Sequence, residues 1–180
     1  MLSDLQRYKL PRMFAAYDAD GNGEVELRDF ERLLHQFAAF RGWRPGSPPY
    51  EELHEALVDR WEHMRRFADA DRDGSVSLSE WLAYMDTVLD DHRKFETELQ
   101  GMAATVFNVF DVDDDEALST EELRALYRGL GLGPDTGKVM YDRLEMGPTG
   151  RMTWDRFLDL FEEFLTSPDP GAPGNWLFGG

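Results

Sequence analysis

The sequence predicts an all-α fold built from four helix–loop–helix units. Three observations predict it. A twelve-residue acidic pattern recurs along the chain, each copy is followed by apolar residues at helical spacing, and glycine- and proline-rich stretches separate the copies. Composition agrees. Hydrophobic residues make up 42% of the 180, and 13% are aromatic, enough to close a core in spite of a formal charge of −17. That charge argues against nucleic acid and anionic membrane surfaces, and favours cations or a basic partner. The absence of cysteine excludes disulfides and thiolate zinc sites. The N-terminal MLSDLQRYKL carries no apolar signal core, Leu2 does not fit the myristoylation pattern, and no apolar run approaches the ~18 residues of a membrane span. A cytoplasmic, monomeric protein with no membrane or nucleic-acid partner is expected.

The units follow in order. The first loop, DADGNGEVELRD, covers residues 18–29, with Phe14 and Tyr17 four and one residues before it and Phe30, Leu33, Leu34 and Phe37 after it. The spacing of the last four is one face of a helix. The segment GWRPGSPPYEE then separates two helices through its prolines and glycines. The second loop, DADRDGSVSLSE, covers 69–80. Trp81, Tyr84, Met85 and Val88 follow it, and Trp61, Met64 and Phe67 supply the upstream apolar face. DDHRKFETELQ is expected to continue as helix into the second half. The third loop, DVDDDEALSTEE, covers 111–122, between Phe107 and Phe110 on one side and Leu123, Leu126, Tyr127 and Leu130 on the other. GLGLGPD ends that helix on glycine and starts the next at Pro134. The fourth copy, EMGPTGRMTWDR, covers 145–156, between Tyr141 and Leu144 and the face Phe157, Leu160, Phe161 and Phe164. Ser77 with Glu80, and Ser119 with Glu122, read as capping boxes at the starts of their helices.

The pattern D-x-[DN]-x-[DN]-G-x₅-E resembles the EF-hand calcium loop. In that family the side chains at positions 1, 3 and 5, the backbone carbonyl at 7 and the acid at 12 converge on the ion, often with a water at 9. Glycine at 6 allows a turn with positive φ. The second loop matches throughout: Asp69, Asp71, Asp73, Gly74, the Ser75 carbonyl, Ser77 and Glu80. The first offers Asp18, Asp20, Asn22, the Glu24 carbonyl and Glu26, but Asp29 at position 12. Aspartate is a methylene shorter and tends to bind through one oxygen, which moves this loop towards magnesium. The third offers Asp111, Asp113, Asp115, the Ala117 carbonyl, Ser119 and Glu122, with Glu116 where glycine belongs. A non-glycine residue in a left-handed conformation costs roughly 1–2 kcal/mol, which would weaken a micromolar site about tenfold and leave it working. The fourth loop has Gly147 at position 3 and Arg156 at position 12, so it is read as structural. About three calcium ions are expected, with magnesium as the alternative in loop 18–29.

Four such units in a chain of this length, irregularly spaced and with one silent loop, resemble the sarcoplasmic calcium-binding proteins, and the bacterial calerythrin type among them. The resemblance rests on the loops, on FADADRDG entering the second, and on the tail SPDPGAPGNWLFGG. It implies two packed lobes sharing an aromatic core, with small two-strand bridges that pair Val25 beside Val76 and Leu118 beside Met152. The lobes would be 1–90 and 91–180, the second ending in the apolar tail 166–180, whose Trp176, Leu177 and Phe178 are expected to plug the space between them. The function implied is a calcium buffer or transport protein, with no enzymatic activity. A calcium sensor that exposes an apolar groove to a protein target is the alternative. A binder of a small apolar ligand in the central cavity is a third reading. His35, His54, His63 and His92 match no ligand-binding motif, and no nucleophile elbow or phosphate loop is present.

Overall fold

The computed structural model describes residues 1–91, 100–132, 143–144 and 150–179. Among these, helices α1 (Asp4–Tyr17), α2 (Leu27–Arg41), α3 (Pro48–Ala68), α4 (Leu78–Leu89), α5 (Gly101–Phe110), α6 (Thr120–Gly129) and α7 (Trp154–Thr166) account for most of the chain. Two-residue strands β1 (Glu24–Val25), β2 (Val76–Ser77), β3 (Ala117–Leu118) and β4 (Met152–Thr153) sit in the loops. The expected helix over most of DDHRKFETELQ, and the one starting at Pro134, lie outside the described residues.

Local chemistry sets the helix ends. The Ser3 hydroxyl caps α1, accepting from the Gln6 N–H, while Gln6 Oε1 accepts from the Ser3 N–H at 2.8 Å. Both predicted capping boxes, Ser77–Glu80 and Ser119–Glu122, form. Gly42, at φ 69°, closes α2, and the Trp43 N–H bonds back to the Ala38 carbonyl at 2.9 Å. Pro48 and Pro49 open α3, where no N–H is missed.

The loops pair two by two. β1 and β2 are antiparallel with Val25 opposite Val76, and β3 and β4 with Leu118 opposite Met152, the register that the aliphatic position of each loop predicts. All four of these side chains are fully buried, so a shift of one residue would turn them to water.

One continuous core joins both loop pairs. Within the first, Phe14 meets Trp81 edge-on, and Phe30 lies between Tyr17 and Trp61. Within the second, Phe107 packs on Trp154 and Phe157. Across the two, Phe37 of α2 meets Phe110 of α5 edge-on at 5.2 Å, and Phe40 stacks on the same ring at 4.9 Å. Among the described residues the predicted helix faces are buried, with Leu130 half-buried; Tyr141 lies outside them. Phe67 is a correction: it is 56% exposed, against His63 and under the Arg66 guanidinium, and Ala68 turns inward in its place.

The tail folds back on α7. It is irregular up to a single 3-10 turn at Pro173–Trp176, where proline sits at the turn's start and so breaks no hydrogen bond. Leu177 is buried, and Phe178 packs on Phe164 at 4.8 Å. Both help line an apolar cavity of about 50 Å³ in company with Met13, Phe37, Val106 and Phe161. Lys9 of α1 fastens the tail: its ammonium, 1% exposed, donates to Asn175 Oδ1 at 2.8 Å and to the Glu163 carbonyl at 3.2 Å. Burial pushes its pKa down to about 8, against a smaller opposing pull from Glu163. Arg12 reaches the Gly179 carbonyl at 2.8 Å. Among the described residues no helix is long and apolar enough to cross a membrane.

Candidate metal centres

Each of the first three loops is wound by its own carboxylates. The position-1 acid accepts backbone N–H bonds from the far side of the turn: Asp18 from Asn22 and Gly23, Asp69 from Gly74, Asp111 from Asp115 and Glu116. The position-5 side chain accepts from the N–H two residues on, as Asn22 does from Glu24, Asp73 from Ser75 and Asp115 from Ala117. These bonds fix the side chains while leaving further oxygen lone pairs for a ligand.

The turn at position 6 has positive φ in every loop: Gly23 at 90°, Gly74 at 94°, Gly150 at 67°, and Glu116 at 64°. Glutamate therefore takes the conformation in which glycine was expected. Position 4 is left-handed as well, in Gly21 at 70°, Arg72 at 63° and Asp114 at 53°. Sequence reasoning missed this second bend. Its traces are Gly21 and Asp114, aspartate being among the residues that reach the left-handed region most readily, whereas Arg72 gives no local sign of it.

The acids converge. Asp18, Asp20 and Asp29 each bring an oxygen within 4.8 Å of the others, and so do Asp69, Asp71 and Asp73, and Asp111, Asp113 and Glu122. Asn22 and the Glu24, Ser75 and Ala117 carbonyls lie on the same turns. Glu80 is turned along its helix cap: Oε2 accepts from the Ser77 N–H and hydroxyl, and Oε1 from the Ala70 N–H at 2.9 Å. The Ser77 hydroxyl, then the backbone donors, hold its carboxyl below the ordinary range. Glu122 is bound likewise, by the Ser119 and Val112 N–H groups at 2.8 Å each. Asp115 stands outside the group of Asp111, Asp113 and Glu122, and its Oδ2 lies 2.6 Å from Arg151.

The first loop tests whether a cation fits. Asp29 is fully buried. Its Oδ2 accepts from the Glu26 N–H at 2.8 Å, but its Oδ1 is buried without a hydrogen-bond partner. Burial raises its pKa, with Asp20 and Asp18 adding to the rise and the Glu26 N–H opposing it. Asp69 Oδ1 in the second loop is orphaned in the same way. An unpaired carboxylate oxygen inside a protein is costly, and the two further acids of its cluster make it costlier. A divalent ion removes both costs, so the residues fit one. Oxygen-only ligands of this kind suit a hard cation, calcium or magnesium.

The fourth loop differs. Arg156 donates to the Leu144 carbonyl at 3.1 Å, so a guanidinium stands where the other loops carry an acid. Its first five residues lie outside the described set.

Helix–loop–helix units paired through short bridges, with acids gathered in the first three loops, form an EF-hand architecture among the described residues. The EF-hand family model matches residues 12–34 and 66–85, the first and second units. The whole chain is similar to the sarcoplasmic calcium-binding proteins I, III and IV of Branchiostoma lanceolatum, 25% identical over 99% of this chain and 98% of theirs. It is similar to calerythrin of Saccharopolyspora erythraea, 20% identical over 87% and 89%. The solved structure of a sarcoplasmic calcium-binding protein from amphioxus superposes with a TM-score of 0.78 at 24% identity, covering 100% of this chain and 99% of that one. The chain thus carries EF-hand units and is similar, over nearly its whole length, to the sarcoplasmic calcium-binding proteins.

Proposed function

We propose that this calcium-binding EF-hand protein is a buffer or transport protein with three active loops, 18–29, 69–80 and 111–122. In this reading Asp18, Asp20, Asn22, Asp29 and the Glu24 carbonyl hold the first ion. Asp69, Asp71, Asp73, Glu80 and the Ser75 carbonyl hold the second. Asp111, Asp113, Asp115, Glu122 and the Ala117 carbonyl hold the third. The bound ions neutralise six of the 17 net negative charges and satisfy the orphaned oxygens of Asp29 and Asp69. Metal-free protein should therefore be markedly less stable than loaded protein. The short Asp29 side chain gives the first loop the strongest leaning towards magnesium. Arg156 keeps the fourth loop silent.

The observation that favours a buffer over a sensor is the closed core. A sensor presents an adaptable apolar groove to its target. Here the apolar faces of both loop pairs pack on one another through Phe37, Phe40 and Phe110, and Leu177 closes the remaining space. The same closure disfavours a small apolar ligand, because about 50 Å³ falls well below the ~150 Å³ that holds one benzene. In keeping with this role, the two loop pairs are taken as lobes 1–90 and 91–180 of a cytoplasmic monomer.

Calorimetric titration of the chelator-stripped chain with calcium, at about 1 mM magnesium, tests the reading. Three sites, with no calcium-dependent retention on a hydrophobic resin, are expected. Retention would favour the sensor, and no heat of binding would overturn the assignment. A melting temperature unmoved by chelator would refute the stability argument.

A further inference from the structure

Arg151 stands at position 7 of the fourth loop and reaches into the third. Its Nη2 lies 2.6 Å from Asp115 Oδ2 and 3.5 Å from Asp113 Oδ2, and donates to the Ala117 carbonyl at 3.1 Å. Those acceptors belong to positions 3, 5 and 7 of the third loop, the oxygens that the EF-hand pattern aims at the ion. In the first loop pair Ser75 fills the corresponding position, and its hydroxyl stays on Asp73 of its own loop at 2.9 Å; Asp20 of the first loop faces Arg28 and Arg32 of α2, but only at 3.5 and 3.6 Å. The antiparallel bridge of Leu118 with Met152 brings Arg151 beside the third loop. A guanidinium is a fixed, permanently charged donor that suits carboxylate and carbonyl oxygens.

We propose that Arg151 is an internal competitor for calcium at the third loop and sets that site's affinity. The inference rests on reading 111–122 as a calcium loop. Calcium and the guanidinium require the same oxygens, so the ion must displace Arg151 before it gains Asp113, Asp115 and the Ala117 carbonyl. Without the arginine, seven acids in a twelve-residue loop would repel one another and strain the loop open. Arg151 keeps it wound and delays filling until the calcium concentration exceeds that needed by loop 69–80. Occupancy of the third loop then releases a charged side chain beside β4.

The test is calcium titration of the full chain by calorimetry in the wild type, Arg151→Gln and Arg156→Gln. The third site is identified as the one lost on Glu122→Gln. Arg156→Gln makes the same change in net charge, but its guanidinium lies on the Leu144 carbonyl. The expected result is that Arg151→Gln tightens the third site about tenfold, about 1.4 kcal/mol, while Arg156→Gln shifts it less than twofold. Arg151→Lys, which keeps the charge and loses the fork, should fall between. In chelator, Arg151→Gln should melt below the wild type, a readout independent of binding. A third site insensitive to Arg151→Gln, or shifted equally by Arg156→Gln, overturns the competitor while leaving the loop assignment standing. If Glu122→Gln removes no site from either the wild type or Arg151→Gln, the loop assignment fails and the competitor with it.

Discussion

Replacing Glu116 by glycine asks where the strain of the third loop resides. Glu116 has φ 64° with Arg151 seated among the loop's oxygens, so the folded chain already holds this conformation with the guanidinium in place. The strain then belongs to folding and not to ion binding, contrary to the tenfold loss of affinity expected from sequence alone. A left-handed non-glycine residue costs about 1–2 kcal/mol, and glycine returns about 0.5–1 kcal/mol of that through its freer unfolded chain. The backbone bonds survive the change, since the Glu116 N–H goes to Asp111 at 3.0 Å and its carbonyl accepts from Trp154 at 3.2 Å. A net gain of about 0.5–1 kcal/mol follows. For a chain of this size it corresponds to about 1–4 °C in melting temperature. Thermal melting in chelator and calcium calorimetry, run on the same pair of proteins, measure the two quantities separately. Glu116→Gly should melt higher, with third-site affinity changed less than about threefold. An unchanged melting temperature with affinity raised tenfold would refute the reasoning, because the strain would then arise only on binding.

Asp29→Asn removes a buried charge and a proposed ligand together. It should raise the melting temperature in chelator by about 2–4 °C, on the order of 1 kcal/mol, and delete one calcium site; a lower melting temperature in chelator would contradict the costly-carboxylate argument. Gly174→Ala places a Cβ within 2.4 Å of the Leu160 carbonyl and 2.5 Å of Glu163 Cβ. It should undock the tail at a cost of about 1–3 kcal/mol, seen as faster proteolysis after residue 166 and binding of a hydrophobic dye. Lys9 has a folded pKa of about 8, below its ordinary 10.5, so the unfolded chain binds more protons between those values. Wild-type stability relative to Lys9→Met should therefore rise as pH climbs from about 8 to 10.5; a flat difference would show that the ammonium is not desolvated.

Most of the architecture is legible because its signals are local. The helical spacing of Phe30, Leu33, Leu34 and Phe37 follows from how a helix turns, and the register of Val25 with Val76 follows from equivalent positions in paired loops. What was not legible depends on residues distant in sequence. Gly129 reads as a helix end, yet a Cβ there would meet the Phe110 ring at 2.8 Å, so it also lets α6 close on α5. Arg151 reads as a spare charge in a silent loop, and only the bridge reveals that it serves the neighbouring one. Lys9 reads as a solvated residue until the tail folds over it. Phe67 misled because it follows Met64 by three residues, an apolar helical spacing, whereas the buried face runs Leu53, Leu57, Trp61, Met64 and then Ala68.

Helix α2 begins inside one acidic loop and ends against another. Asp29, in its first turn, is position 12 of the first loop, and Arg41, its last residue, donates to the Asp111 carbonyl at 2.7 Å. Fifteen residues of helix make a stiff rod of about 22 Å, and Phe37 and Phe40 brace its far end on Phe110. A small rotation imposed at Asp29 arrives at the entrance of the third loop as a displaced donor. Should both loops take ions as proposed, their filling would be one linked equilibrium, in which each ion alters the other's affinity by the same factor.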